Sequence, residues 1–284
     1  MKRTAVIGPG RVGTALGMGL DRAGYQIVAV AGRSQGRIDE FVRRLPGARP
    51  TTAAEAARHA ELVVVCVGDD TLVDLVRHVA AADAVAEGSR WLHTSGGYGV
   101  DVLEPVRLAG AAVAACHPAQ TFPDPDTGFA ALPGTSWAVT ADEANLGWAR
   151  VLVTDLRGSP VTVPAGSRTL YHAGLTVGSN ATATVVTLAR DLLLGAGVTD
   201  PAQFLGPLVT TSASNAARSG AAALTGPVRR GDAGTVARQL DELRTVMPEA
   251  VDAYLALSRL ALRHARRAGL DDAAAGAVAA VLDE

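Results

Sequence analysis

The sequence predicts an α/β fold, with a doubly wound, mostly parallel sheet in the first part of the chain and an all-helical second part. Three observations predict it. The apolar run Thr4-Ala5-Val6-Ile7 is followed at once by Gly8, Gly10 and Gly13 and by a small-residue stretch from Thr14 to Leu20. Short β-branched runs then alternate with helix-like segments as far as Val163, the pattern of parallel βαβ units. From Ser167 the texture changes, and no run reads as a strand. The boundary is expected near Pro164, giving domains 1–164 and 165–284.

Each glycine of the opening has its own task. Gly8 allows the tight turn off the strand, Gly10 lets the backbone approach a pyrophosphate, and Gly13 lets the helix pack closely on the strand. The free N–H groups at the helix N-terminus, around Arg11 and Val12, then face the anion. This is the entry of a Rossmann dinucleotide-binding unit. The second strand is Tyr25 to Ala31, and it ends in Gly32-Arg33-Ser34, with Arg37 one turn on. An NAD site usually carries an acidic residue at that strand end. A guanidinium and a hydroxyl suit a 2′-phosphate instead, so the expected cofactor is NADP(H).

Ile38 to Leu45 reads as a short amphipathic helix, and Thr51 or Thr52 can cap the next one, Ala53 to His59. Leu62 to Val67 is apolar throughout and belongs in the middle of a sheet covered on both faces. It runs into Gly68-Asp69-Asp70-Thr71, a strand-end loop at the cofactor crevice, where Asp70 can also cap the helix from Thr71 to Ala80. Trp91-Leu92-His93 leads into Thr94-Ser95-Gly96-Gly97, and Ala111 to Cys116 leads into His117-Pro118. Ligands of open α/β sheets lie outside the carboxyl ends of strands, so polar groups at these two ends are expected to converge. Trp137 to Thr140 and Val161 to Val163 are the last expected strands, with a helix from Glu143 to Leu156 between them.

In the second part, Leu170 to Leu194 is a long helical candidate with little charge, expected to be buried on most faces in its own domain or in a dimer. His172, Thr176, Ser179 and Asn180 follow the helical period along one face and are expected either to bond to a neighbouring helix or to line the cleft. Further helices are expected over Pro201 to Ala217, Asp232 to Met247, Glu249 to Ala268 and Asp271 to Leu282. The stretch Thr225 to Asp232 reads as a polar loop whose Asp232 caps the helix that follows.

Composition excludes several classes. The chain has 284 residues, 48% hydrophobic and 19% charged, with a net charge of −2, and its basic runs are no longer than arginine pairs such as Arg229-Arg230. It is therefore expected to be globular and to bind no nucleic acid. Without an apolar segment of membrane-spanning length or a recognisable signal peptide, the expectation is a cytoplasmic protein. Cys66 and Cys116 lie in strand-like runs and are expected to be buried free thiols, and no spacing points to a metal site. Lys2 is the only lysine, so a lysine acid or base in the cleft is excluded.

Taken together, the glycine opening, Leu92-His93-Thr94-Ser95-Gly96, Cys116-His117-Pro118-Ala119-Gln120-Thr121-Phe122, Tyr171-His172 with Ser179-Asn180, and Leu224-Thr225-Gly226-Pro227 with Arg230-Gly231-Asp232 resemble the Rossmann-like proteins that carry a C-terminal DUF2520 domain. That family is similar to the 6-phosphogluconate dehydrogenase-like reductases, including those for pyrroline-carboxylate and ketopantoate. The resemblance implies a homodimer through the helical domain and an NADP(H)-linked oxidoreductase acting on a small carbonyl or imine, with ketopantoate the first named candidate. The lysine that many such reductases use is absent; Thr176 stands where it would be, and Asn180 matches its companion asparagine. His117 or His172 is then expected to donate the proton as an imidazolium, with Ser95 and Asn180 orienting the substrate. Gly8, Gly10, Arg11, Val12, Gly13, Gly32, Arg33, Ser34, Gly68, Asp69, Thr94 and Gly96 are the expected cofactor contacts. Two other readings remain open: a non-catalytic NADPH-sensing binding protein, and hydride exchange between NADP and deazaflavin.

Overall fold

The computed structural model describes residues 2–284, and the chain divides into two compact units that meet between Val177 and Gly178. The first unit is built on β1 (Arg3–Ile7), α1 (Arg11–Arg22), β2 (Gln26–Ala31), α2 (Gln35–Arg44), β3 (Arg49–Pro50), α3 (Ala53–Arg58), β4 (Leu62–Val65) and α4 (Asp69–Ala81). It continues through β5 (Arg90–His93), α5 (Glu104–Leu108), β6 (Ala112–Pro118), α6 (Pro125–Ala131), β7 (Ser136–Thr140), α7 (Glu143–Asp155), β8 (Ser159–Thr162) and α8 (Arg168–Thr176).

Among the described residues the strands form one eight-stranded sheet in the order β3-β2-β1-β4-β5-β6-β7-β8. The order reverses at β1 and β4, the switch point where such sheets open a ligand crevice. β1 to β6 are mutually parallel, while β7 pairs antiparallel to β6 and parallel to β8. Strand alternation sends side chains to two separate cores. Val6, Val30, Val64, Leu92 and Ala114 pack with Leu16, Phe41 and Leu152 on one face. Ala5, Ile7, Val63, Val65, Trp91 and Val113 pack with Leu72, Val76 and Val106 on the other. Both faces are covered, which explains why β4 is apolar at every position.

Local chemistry sets the helix starts. Thr52 begins α3 with a reciprocal capping box to Glu55. The helix after β4 starts earlier than expected: Gly68 is its N-cap, and Asp70 lies in its first turn beside Asp69. Two acidic side chains suit that end of the helix dipole, so no side-chain cap is needed. Asp124 caps α6, whose first residue is Pro125.

The second unit contains α9 (Thr182–Gly195), α10 (Pro201–Ser219), α11 (Pro227–Arg230), α12 (Ala233–Val246), α13 (Val251–Arg267) and α14 (Asp272–Asp283). The long helix expected over 170–194 is interrupted by a π-helical turn, Val177–Ala181, between α8 and α9. The first unit thus reaches past Pro164 and takes α8 with it. Part of the expected loop at 225–232 is helical, and Asp232 caps α12 through Thr235 N–H at 3.0 Å. Val228, Val236, Leu240, Leu262, Ala275, Val278 and Leu282 form this unit's core. α9 contributes no buried residue within the single chain, so of the two expected sites of burial its own unit does not supply one. Among the described residues no helix is long and apolar enough to cross a membrane.

Candidate functional site

A cleft of about 540 Å³ opens over the carboxyl ends of β1, β2 and β4. Gly8, Gly10, Gly32, Arg33, Ser34, Arg37, Thr51, Thr52 and Gly68 are among its lining residues, and among the described residues the lining includes no carboxylate. Gly8 has φ +98° and turns back so tightly that a Cβ there would lie 2.5 Å from Cys66 O. At Gly13 a Cβ would lie 2.1 Å from Gly8 O, so only glycine brings α1 this close to the turn. Gly10 differs: nothing described stands within 4 Å of its Cβ position, which leaves the backbone open to a ligand. The N-terminus of α1 faces this turn with no acidic residue in its first turn.

The other expected cofactor residues fall outside that lining. Arg11 is exposed and donates weakly to Pro123 O at 3.5 Å, and Val12 packs against the sheet. Asp69 lines a second cleft of about 430 Å³ with Gly97, Tyr98, Gly99 and Asp101. The Thr94 hydroxyl bonds to the Cys66 thiol, whose burial pushes its pKa up to about 12. Cys66 and Cys116 are both free, and burial disfavours the thiolate of each.

The ends of β5 and β6 do bring their polar side chains together. His93, fully buried, accepts the Ser95 N–H at Nδ1 (3.2 Å), so its proton lies on Nε2, which donates to Gly99 O at 2.8 Å. These two bonds brace the loop from 94 to 99, and the Ser95 hydroxyl accepts the Tyr98 N–H within it. Gly96 sits between two imidazoles: a Cβ there would lie 2.5 Å from His172 Cδ2 and 3.0 Å from His117 Nε2. The His117 and His172 rings meet edge to face with centroids 5.8 Å apart. His117 Nδ1 is 3.0 Å from the Tyr171 hydroxyl.

Arg168, the first residue of α8, was not singled out by the sequence, yet it is the most deeply buried charge of the site, 1% exposed. Its guanidinium donates to Tyr98 O at 3.0 Å, to Ala138 O at 3.2 Å and to Ser95 O. It also lies 5.7 Å from the centre of the Tyr171 ring. One signal was available: a cation in the first turn of a helix opposes the helix dipole and asks for a reason.

Electrostatics bear on the expectation for His117. Burial, with Arg168, His172 and His93 nearby, lowers its pKa from 6.5 to about 4. That direction favours the neutral imidazole over the imidazolium at neutral pH. His93 is lowered to about 4 as well, chiefly by burial. Ser95, Gly96, His117 and His172 therefore gather in the first unit, whereas Asn180 belongs to the second and is exposed. Among the described residues no cluster of three or more His, Cys, Asp or Glu side chains could hold a metal ion.

The switch-point crevice, the glycine turn and the reversed strand order define a Rossmann-type nucleotide-binding fold with a helical C-terminal part. More particularly, the chain combines a Rossmann-like domain, matched over residues 2–118, with a domain of unknown function, DUF2520, matched over residues 135–261. A Bacteroides fragilis protein assigned as an NADP oxidoreductase shares the fold, with 23% identity, a TM-score of 0.77, and 92% of this chain and 97% of that one covered. The imine reductase of Myxococcus stipitatus, solved in complex with NADP+, is similar over 92% of this chain and 94% of its own, with 18% identity and a TM-score of 0.67. L-aspartate dehydrogenase 3 of Bordetella bronchiseptica is 40% identical over 84 residues, which is 28% of this chain and 30% of that protein. The chain thus matches under a third of that relative's length.

Proposed function

We propose that the protein is an NADPH-dependent reductase of a small keto acid or imine, with ketopantoate the first substrate to try. The observation that carries this reading is the seating of Gly96 between His117 and His172, at the end of β5 and beyond the glycine turn. A loop of small residues flanked by two proton-bearing rings suits a nicotinamide edge and a reacting carbon. The reductase and dehydrogenase names carried by similar proteins agree with it.

The cleft suits the cofactor on its own terms. Gly10 leaves room for a pyrophosphate, the N-terminus of α1 faces it, and Arg33, Ser34 and Arg37 offer donors to a 2′-phosphate with no carboxylate in the described lining to oppose it. When bound, NADPH supplies a hydride. The protein's residues do the rest. His93 and the Ser95 hydroxyl hold the loop in place. His117, kept neutral, is a hydrogen-bonding group for the substrate oxygen or nitrogen rather than its acid. His172 is then the remaining proton donor at the loop, and Asn180 is proposed to orient the substrate.

The proposal extends to a homodimer through the helical unit. α9 and α10 carry many apolar side chains, yet Phe204 and Leu208 are 62% and 61% exposed, and the unit's core lies among α11 to α14. A second copy of this chain would cover them.

The test is NADPH oxidation with ketopantoate and a panel of keto acids and cyclic imines. Turnover with one of them, lost in His172→Ala, is the expected result. Tight NADPH binding with no turnover of any substrate overturns the reading and leaves the NADPH sensor, which the lack of a lysine in the site favours.

A further inference from the structure

We propose that Arg168 is a positioning residue: its guanidinium ties the loop after β5 and the strand β7 to the start of α8, and so sets the hydrogen-bonding state in which His117 meets the substrate. The inference rests on the reductase reading for the reaction it serves, and on geometry alone for the arrangement it describes.

The three carbonyls that Arg168 binds come from two separate segments, Ser95 and Tyr98 of the loop and Ala138 of β7. No carboxylate of the described residues forms an ion pair with it. A buried cation without a carboxylate is costly to retain, and the same carbonyls could be met by uncharged donors at less cost. Retaining the charge therefore points to what the charge does. Its neighbour one turn on is Tyr171, whose ring lies under the guanidinium and whose hydroxyl meets His117 Nδ1. Burial raises the phenol's pKa and keeps its proton on, while the positive charge beside it favours the O–H as donor over the oxygen as acceptor. The bond then runs from Tyr171 O–H to Nδ1, and the His117 proton lies on Nε2, the nitrogen nearest the Gly96 backbone.

The groups that face His117 agree. They are Tyr171, His172 and Arg168 of α8 and His93 of β5, and no carboxylate contributes to its ionisation. Nothing there stabilises an imidazolium, and the fixed cation opposes one. His117 is thereby held as a neutral donor through Nε2, with its ring braced from behind. Removing the charge and removing the fork should have different consequences, because lysine keeps the first and lacks the second.

The experiment uses the full-length protein with Arg168→Met and Arg168→Lys. It reads the titration of the His117 ring by NMR, kcat and KM for the substrate found above, and the NADPH dissociation constant. In Arg168→Met the His117 titration moves upward towards the ordinary histidine range and kcat falls about 100-fold, while NADPH affinity stays within about threefold, because Arg168 is not in the lining of the cofactor cleft. In Arg168→Lys the His117 titration stays low but kcat still falls, more than KM rises. An unmoved His117 titration in Arg168→Met overturns the proposal, as does wild-type kcat in Arg168→Lys. Should Arg168→Met fail to fold, Arg168→Lys decides by its kcat. If the wild-type protein turns over no substrate, the reductase reading fails, and the His117 titration still decides the role of Arg168.

Discussion

Acid should unfold the first unit through its two buried imidazoles, and the size of the effect follows from the site. His93 and His117 take up a proton near pH 4 when folded and near 6.5 when exposed by unfolding. The unfolded chain therefore binds more protons below pH 6.5, so the stability due to these rings is whole above 6.5 and is lost as pH falls towards 4. A drop from 6.5 to about 4 corresponds to about 3 kcal/mol for each ring, less where the two titrate together. The carboxylates held low here, Glu55, Glu104, Asp124 and Asp232, lose their contribution at lower pH, so the interval from about 6.5 to 5 belongs to the histidines. Trp91, Trp137 and Trp148, the only tryptophans, all lie in the first unit, so urea melts followed by tryptophan fluorescence report that unit. His93→Gln should keep donor and acceptor groups near Gly99 O and Ser95 N and remove one titrating ring. The fall in unfolding free energy between pH 6.5 and 5 should then shrink by roughly half. An identical pH dependence in wild type and His93→Gln would refute the reasoning.

Three further outcomes follow from the geometry. Gly96→Ala puts a methyl 2.5 Å from His172 Cδ2 and should cut turnover by about 100-fold, with a smaller change in NADPH affinity by fluorescence titration. Arg33→Asp should weaken NADPH binding by about 10- to 100-fold and leave NADH binding equal or improved, measured by calorimetry with both cofactors. For the proposed homodimer, Phe204→Glu combined with Leu208→Glu should lower the sedimenting mass to that of a monomer at micromolar concentration without changing the first unit's tryptophan melt.

What was legible depended on whether a constraint is local. Gly8 and Gly13 are held to glycine by contacts within a single strand-turn-helix unit, and their spacing stands in the sequence as plainly as in the fold. Thr52 and Asp232 cap helices through residues three positions on, which is equally local. The approach of the loop after β5 to His117 at Gly96 was also foreseeable, because carboxyl ends of neighbouring parallel strands share one edge of the sheet. The polar stripe from His172 to Asn180 is interrupted at its far end. A helical period was extended through residues 177–181, where the chain makes a π turn and passes from one unit to the other. Residue type alone does not reveal where a helix changes its repeat.

Arg33 and Arg168 show the same limit within one residue type. Arg33 is exposed at a strand end, where the fold itself implies a ligand phosphate, so its position carries its meaning. Arg168 satisfies its donors with backbone carbonyls 73, 70 and 30 residues earlier, and backbone carbonyls have no side-chain signature. Only the folded chain shows that a guanidinium buried to 1% exposure lies beside the site. Burial, with that charge second, lowers the His117 pKa, which disfavours His117 as the acid in place of the missing lysine under the proposed reaction. In the proposed reduction the proton is then assigned to the α8 side, where His172 is the side chain that stands against Gly96.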